Sequence, residues 1–381
     1  YINFLEEGDK TVIPLKYFLI YFEKYCNKNN LTIPDVDYFF SPRDFPVLRH
    51  NNLEPYDKIF PNKKLEPQYI HKNYTPILCQ SGNTNYHDIP VPTEDDMLRI
   101  SPDIYPDSCK NKYNDMVEFD TDWNNKKSEC VFRGNATGCG ITIDTNMRLK
   151  AANLSFEWKK NGHLKNSDGK DVLDVKLIGW NNRRPKIDGD TFDYLDPKDF
   201  KFKVGEFNSL DLEQQSKYKY ILNIDGHVKA FRLGNEMRMG SVVLLVDSPY
   251  TLWFQDKLKS IDIAKNKDID YIDENYILIK NDLSDLDKKL QWCLDNDDKC
   301  KKIAENSKIF YNKYLSREGT YEYYYNLIND LSRIRRIPLP NMNNYMSLIV
   351  AYRDPGDGSR KAQLDIYLQQ MQVLLNGKIN Y

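Results

Sequence analysis

Short apolar runs alternate with amphipathic stretches along most of the chain. Tyr218–Ile224 (YKYILNI) and Ser241–Asp247 (SVVLLVD) have strand length and strand-like residues, and the second is almost wholly apolar, the pattern of a strand covered on both faces. Between them Asp225-Gly226 makes a turn, about Phe231–Met239 reads as a helix, and Gly240 ends it. Strand, turn, helix and strand form a βαβ unit, the repeating piece of a parallel sheet. The alternation continues on either side. Glu129–Arg133, Val172–Gly179 and Tyr276–Lys280 read as strands. Helices are expected near Thr145–Leu154, Ser209–Lys217, Leu286–Leu294 with Ser284 as its N-cap, Lys301–Leu315 and Thr320–Arg333. Ser248-Pro249 predicts the start of another helix with its body at Tyr250–Leu258, and the polar Phe156–Lys170 predicts an exposed loop or hairpin. Residues 119–336 are thus expected to form a doubly wound α/β domain.

Toward the N-terminus, Leu15–Asn27 is an amphipathic aromatic helix, and Asp37–Phe40 and Thr75–Gln80 are short strands. Asn51–Tyr74 is polar and proline-spotted, a loop. Beyond Ile337–Asn343, a Pro/Asn linker, Ser347–Tyr352 reads as a strand and Arg360–Asn376 as a helix. Residues 337–381 are then the truncated start of a further nucleotide-binding domain, or an extra unit docked on the preceding one. Tyr1 in place of an initiator Met reads as the start of an internal fragment.

The 381 residues suffice for two or three domains of about 100–200 residues each. Net charge is −2, so no global basic field argues for nucleic acid. No apolar run approaches the roughly 20 residues of a membrane-spanning helix. Frequent Tyr, Lys, Asn, Asp and Ile resemble the usage of AT-rich genomes, large DNA viruses among them. The seven Cys include no CxxC pair, which points to free thiols in a reducing, cytoplasmic setting. The alternative is a secretory lumen reached through a signal or anchor outside this sequence; of the sequons at Asn73, Asn135 and Asn153, Asn135 falls in the candidate ligand loop, where a glycan would not be tolerated, which argues against it.

The candidate chemistry is that of an anion site. Arg232 stands at the start of the expected helix after Gly226, where a guanidinium and free N–H groups could meet a diphosphate; a surface arginine is the alternative. Gly134-Asn135-Ala136-Thr137-Gly138-Cys139-Gly140 follows a strand and precedes a helix carrying Arg148. It lacks the GKS/T of a P-loop, and GxGxxG is absent too. Asp44 lies in a turn stiffened by Pro42 and Pro46 at a strand's carboxyl end. Tyr86-His87-Asp88 reads as loop-ordering or acceptor-lining. No GxSxG exists to support a serine hydrolase.

Together these pieces resemble one family, the capsule-associated glycosyltransferases and protein O-glucosyltransferases, which include Rumi-type (KDEL-motif-containing) enzymes and fungal xylosyltransferases. Arg43-Asp44-Phe45-Pro46 is similar to that family's RDWP/RDYP turn. Tyr86-His87-Asp88-Ile89 is similar to its YHDI segment, and Phe132-Arg133-Gly134-Asn135 to its FRGS. Lys217–Tyr220, Gly226 and Ala230-Phe231-Arg232 resemble KYKYLFNFRGVAASFR, and Gly240–Val243 resembles GSLVF. Tyr276–Lys280 and Asp282-Leu283-Ser284 resemble the HYIPV and TDLS elements. The resemblance runs in order from about Val36 to Leu315. Asn135 replaces the family's usual serine. The AYRDPGDGSR stretch further resembles the opening of a galactosyltransferase-like GT-A domain.

The resemblance implies a GT-B fold, two Rossmann-like domains facing a cleft: 1–118 on the acceptor side and 119–336 on the nucleotide-sugar side. It implies a UDP-sugar as substrate, no metal, and inverting transfer of a glucose- or xylose-class sugar to a hydroxyl of a glycan or a protein Ser/Thr. Asp44 is then the general base. Arg133, Gly134, Asn135, Arg148, Gly226, Phe231, Arg232 and Ser241 bind the nucleotide sugar. Arg43, Tyr86, His87 and Asp88 face the acceptor. Two other readings stay open: a non-catalytic nucleotide-sugar-binding module beside a transferase domain, and a metal-dependent hydrolase using His87 and Glu94–Asp96.

Overall fold

The computed structural model describes residues 12–36, 38–53, 64–65, 67, 77–101, 115, 117–119, 121–138, 140–180, 195–265 and 267–334. The Ile337–Asn343 linker, the strand and helix expected from Ser347 onward, most of the Asn51–Tyr74 loop, Asn73, Cys109 and Cys139 lie outside these residues. The described residues through Leu331 belong to one unit.

That unit is mixed α/β with two parallel sheets. The smaller holds β1 (Phe39–Phe40), β2 (Ile77–Cys79) and β4 (Ile89–Pro90), ordered β1-β2-β4 and parallel throughout. A short strand, β3 (Gly82–Asn83), leaves this sheet. The larger sheet has β5 (Lys127–Asn135), β6 (Leu173–Gly179), β7 (Tyr218–Asn223), β8 (Val242–Val246) and, beyond the two-residue β9 (Tyr250–Thr251), β10 (Ile277–Ile279). Every residue of β7 and β8 is buried, as the apolar sequence of β8 demanded, with Lys219 and Asn223 buried in β7 as well. The order is β10-β8-β7-β5-β6, all parallel. The winding therefore reverses between β5 and β7. At such a reversal the loops leave in opposite directions and a crevice opens at the strands' carboxyl ends.

Helix α1 (Val12–Lys28) buries Leu15, Phe18, Phe22 and Cys26, one face at helical spacing. Phe18 and Phe22 each meet the Tyr324 ring edge-on with centroids 5.0 Å apart. Tyr324 belongs to a long C-terminal helix, Arg317–Ile334. The first and last described helices thus close one core, which also covers the small sheet. Helix α2 (Glu94–Arg99) is fixed by a capping box, with Thr93 Oγ1 accepting from Asp96 N and Asp96 Oδ2 accepting from Thr93 N. Its last residue, Arg99, is wholly buried, paired with Asp96 at 2.8 Å and donating to Leu315 O at 2.9 Å.

Three elements differ from the sequence reading. Helix α3 (Met147–Asn161) starts later, at an Asn146 cap, and continues through Phe156 and Trp158 until Gly162 takes φ +67°. Ser155 sits on its buried side, donating to Leu173 O and accepting from Val175 N, so a polar residue interrupts the apolar stripe that marks a helix. After α4 (Leu212–Ser216) and β7, only Leu233–Glu236 is helical, as α5. There the chain buries Asn235, Glu236 and Arg238 where an amphipathic helix would bury an apolar stripe. Tyr250–Thr251 is strand, not helix. Both residues favour strands, and they pair antiparallel with β3, Gly82 opposite Thr251 and Asn83 opposite Tyr250. The remaining helices are α6 (Leu286–Asp295), α7 (Asp297–Phe310) and α8 (Arg317–Ile334). Asp285, not Ser284, precedes α6 in the cap position, and its carboxylate accepts from Lys280 N at 2.9 Å. No helix among the described residues is long and apolar enough to cross a membrane.

Candidate active site

The crevice between β5 and β7 holds two adjoining hollows that share Gly226 and His227 on their rim. The first, about 420 Å³, has Asn135, Thr137 and Arg148 on one side and the turn Gly226–Phe231 on another. Asp44 and Asp95 line it as well. The second, about 290 Å³, lies between Gly138, Asp144–Met147, Ile224–Asp225, Val246–Tyr250 and Asn281. Gly226 is required where the loops meet: a Cβ there would come within 2.7 Å of Thr137 Oγ1. At Gly138, φ is +141°, a conformation side chains disfavour.

Asp44 is held by contacts on both sides of its turn. Gln80 Nε2 donates to Pro42 O at 3.0 Å. Val47 N and Leu48 N donate to the two oxygens of Asp88, at 2.8 and 2.6 Å. Phe45 is buried edge-on to Tyr250, centroids 5.7 Å apart, in a small cluster with Val228 and Phe231. The turn bearing Asp44 is therefore braced against the loops of the larger sheet. Gln80 also reaches the other carboxylate's helix, since its Oε1 accepts from Glu94 N at 2.6 Å.

Asp88 is thus a loop-ordering residue. Burial pushes its carboxyl up, and the two N–H donors oppose that shift. Asp88→Ala should leave two amide donors without their acceptor. We expect a loss of roughly 1–3 kcal/mol, read as a lower urea midpoint at unchanged slope; an unmoved midpoint would mean that water replaces both bonds at no cost. His87 is exposed and packs against His50, the rings tilted by 40° with centroids 3.8 Å apart. Tyr86 is buried, bridged through its backbone to Arg49. Arg43 is exposed. None of these four residues lines either hollow.

The arginines divide by what already occupies them. Arg133 turns away from the crevice and pairs with Asp174 on β6, Nη2 to Oδ2 at 2.5 Å. Arg148 lines the first hollow, but its guanidinium is spent on the chain itself. It donates to Asn135 O, Thr137 Oγ1, Ile224 O and Asp225 O, clamping the ends of β5 and β7 together. Burial, with Arg232 nearby, lowers it to about 9, which leaves it charged at neutral pH. Arg232 keeps about a quarter of its side chain exposed. It lies over the Phe132 ring at 4.9 Å, donates to Arg133 O and faces Glu236 at 3.5 Å. Gly134 makes room for it, since a Cβ there would meet Arg232 Nη2 at 2.9 Å. Of the three, Arg232 has the most exposed side chain, although it lines neither hollow. Ser241 is at the amino end of β8, the edge opposite the crevice, where it donates to Tyr218 O. It lines neither hollow.

Sequence reasoning missed His227 and Lys229, named Thr137 only as part of the Gly-rich loop, and named Asp95 only within the Glu94–Asp96 run of the hydrolase reading; all four line the first hollow. Lys229 is buried with Nζ 3.8 Å from Asp225. It falls inside the segment already singled out between Gly226 and Phe231, so the segment was legible and the residue was not. Among the described residues no three His, Cys, Asp or Glu side chains converge to hold a metal ion. His87 and the Glu94–Asp96 run do not form a site together: His87 packs against His50, while Asp96 caps α2 and pairs with Arg99.

A sequence profile of glycosyl transferase family 90 matches residues 17–361. An uncharacterized protein of Invertebrate iridescent virus 6 is 35% identical over 363 residues, covering 85% of this chain and 28% of that protein. Protein O-glucosyltransferase 3 of Homo sapiens is 25% identical over 321 residues, 83% of this chain and 50% of that protein. Protein O-glucosyltransferase 2 of Danio rerio is 32% identical over 138 residues, 36% of this chain and 25% of that protein. The chain spans about 28% of the viral relative and half of the human one.

Proposed function

The chain belongs to glycosyl transferase family 90, and on that footing we propose that it moves a glucose- or xylose-class sugar from UDP to a hydroxyl of a protein Ser/Thr or a glycan, with inversion. The nucleotide takes the second hollow, and its diphosphate lies at the shared Gly226–His227 rim. The sugar extends into the first hollow toward Asp44. Residues 1–118 and 119–336 act as the acceptor and nucleotide-sugar parts of a GT-B arrangement.

The supporting observation is that Asp44 lines the same hollow as the β5 and β7 loops at the sheet's reversal. In the reaction Asp44 takes the proton of the acceptor hydroxyl. The freed oxygen attacks the anomeric carbon, and the bond from that carbon to the diphosphate breaks. UDP leaves with the electron pair, its charge met by Arg232 and Lys229 in place of a metal ion.

Calorimetry with UDP, GDP and a panel of nucleotide sugars, with and without EDTA, tests this. UDP should bind saturably in EDTA, and Arg232→Gln should weaken it by about 10-fold or more, the worth of a charge-assisted contact. Absence of UDP binding, or binding only with a divalent cation, would sink the metal-free reading.

A further inference from the structure

Asp95 is the second carboxylate of the first hollow, and the reaction just described gives it no task. It follows Glu94, whose amide is held by Gln80, and precedes Asp96, which caps α2 and pairs with Arg99. Asp96 also accepts from Trp253 Nε1 at 2.9 Å. Asp95 has no such employment: no hydrogen bond or ion pair to it is found among the described residues, and it borders the cavity that Asp44 borders. Arg232 is near enough to act on its charge.

We propose that Asp95 is a specificity-determining residue that accepts hydrogen bonds from ring hydroxyls of the transferred sugar. This rests on the reading of the hollow as the donor-sugar site. In that reading the sugar lies between the diphosphate near Arg232 and the base, Asp44. A carboxylate there with no protein donor has up to four acceptor sites, which vicinal sugar hydroxyls fill well. Leaving a half-buried carboxylate unpaired costs stability. Burial, with Asp96 and Glu94, pushes its carboxyl up to about 6, against Arg232 and Arg99. A folded-state value above the ordinary one means a stability contribution that is full below about 3.8 and lost as pH rises through about 6. Asp95→Asn should therefore melt no lower than wild type at pH 7.5, and its advantage should shrink toward pH 4. The groups in play on that titration are Glu94, Asp96, Arg99 and Arg232.

The test measures UDP release with water or a peptide as acceptor, from UDP-glucose, UDP-xylose, UDP-galactose and the UDP-deoxyglucoses, for wild type, Asp95→Asn and Asp95→Ala. Asp95→Ala should lower kcat/KM about 10- to 100-fold for donors that carry the contacted hydroxyls. The loss should vanish for the deoxy donor that lacks the contacted group, and UDP affinity should not change. An equal loss on every donor, a changed UDP affinity, or unchanged selectivity overturns the assignment. A wild-type protein that turns over no donor overturns the reading of the hollow and this inference with it, and is told apart because the failure precedes any substitution.

Discussion

Asp44→Asn is expected to lower sugar transfer by about 10²–10⁴-fold and leave UDP affinity within about twofold. The magnitude is what a positioned general base contributes. The substitution is nearly isosteric, so Phe45 should stay packed on Tyr250, and Gln80 and Asp88 should keep the turn in place. What the amide cannot do is take a proton. The expected signature is a collapse of kcat with little change in KM, since the base acts in the transition state more than in binding. Single-turnover assays of UDP release would read it. Turnover within a factor of a few of wild type would remove Asp44 from the mechanism.

Arg99→Met is expected to cost about 3–5 kcal/mol of folding stability, the penalty for breaking a buried ion pair by removing one partner. Both members are fully buried. Without Arg99, Asp96 keeps the donors of Thr93 and Trp253 but loses its counter-charge. Leu315 O loses a donor as well. The packing is close: a Cβ at Gly234 would come within 2.7 Å of Asp96 Oδ1. Methionine replaces the alkyl stem, so the loss measures charge and hydrogen bonds more than volume. Urea unfolding would show it as a lower midpoint. A double replacement, Arg99→Met with Asp96→Asn, should recover part of the loss; if it recovers none, the pair's charge is not the source.

In the larger sheet β8 was legible because it is buried on both faces and every residue in it is apolar, while β6, partly exposed, was legible from its alternation. The carboxyl-end crevice followed from parallel order, and the turn of Asp44 from two prolines around one aspartate. The division of labour among like residues was not legible. Arg133, Arg148 and Arg232 look equivalent along the chain. They are separated by partners far away in sequence, Asp174 for the first and the carbonyls of Ile224 and Asp225 for the second. Glu94, Asp95 and Asp96 are three acids in a row, and only packing turns Asp95 to the cavity and Asp96 to Arg99. The helix expected over Phe231–Met239 came out as the short α5, in a segment that buries Asn235, Glu236 and Arg238. Tyr250–Thr251 escaped because a two-residue strand is decided by its partner, not by its own pattern.

The antiparallel pairing of β3 with β9 bears on how the molecule comes to be made. Residues near 82 meet residues near 250, Pro90 O accepts from Tyr323, and the hydroxyls of Tyr38 and Tyr324 meet across a separation of 286 positions. Contacts of such span form late, because each must close a long loop before it repays the cost. During synthesis the segment that carries Asp44 emerges first, while the helix that completes its core emerges among the last described residues. The smaller sheet must therefore wait on the ribosome for α8. Hydrogen exchange during refolding should find protection at β7 and β8 well before it reaches β1 and β2.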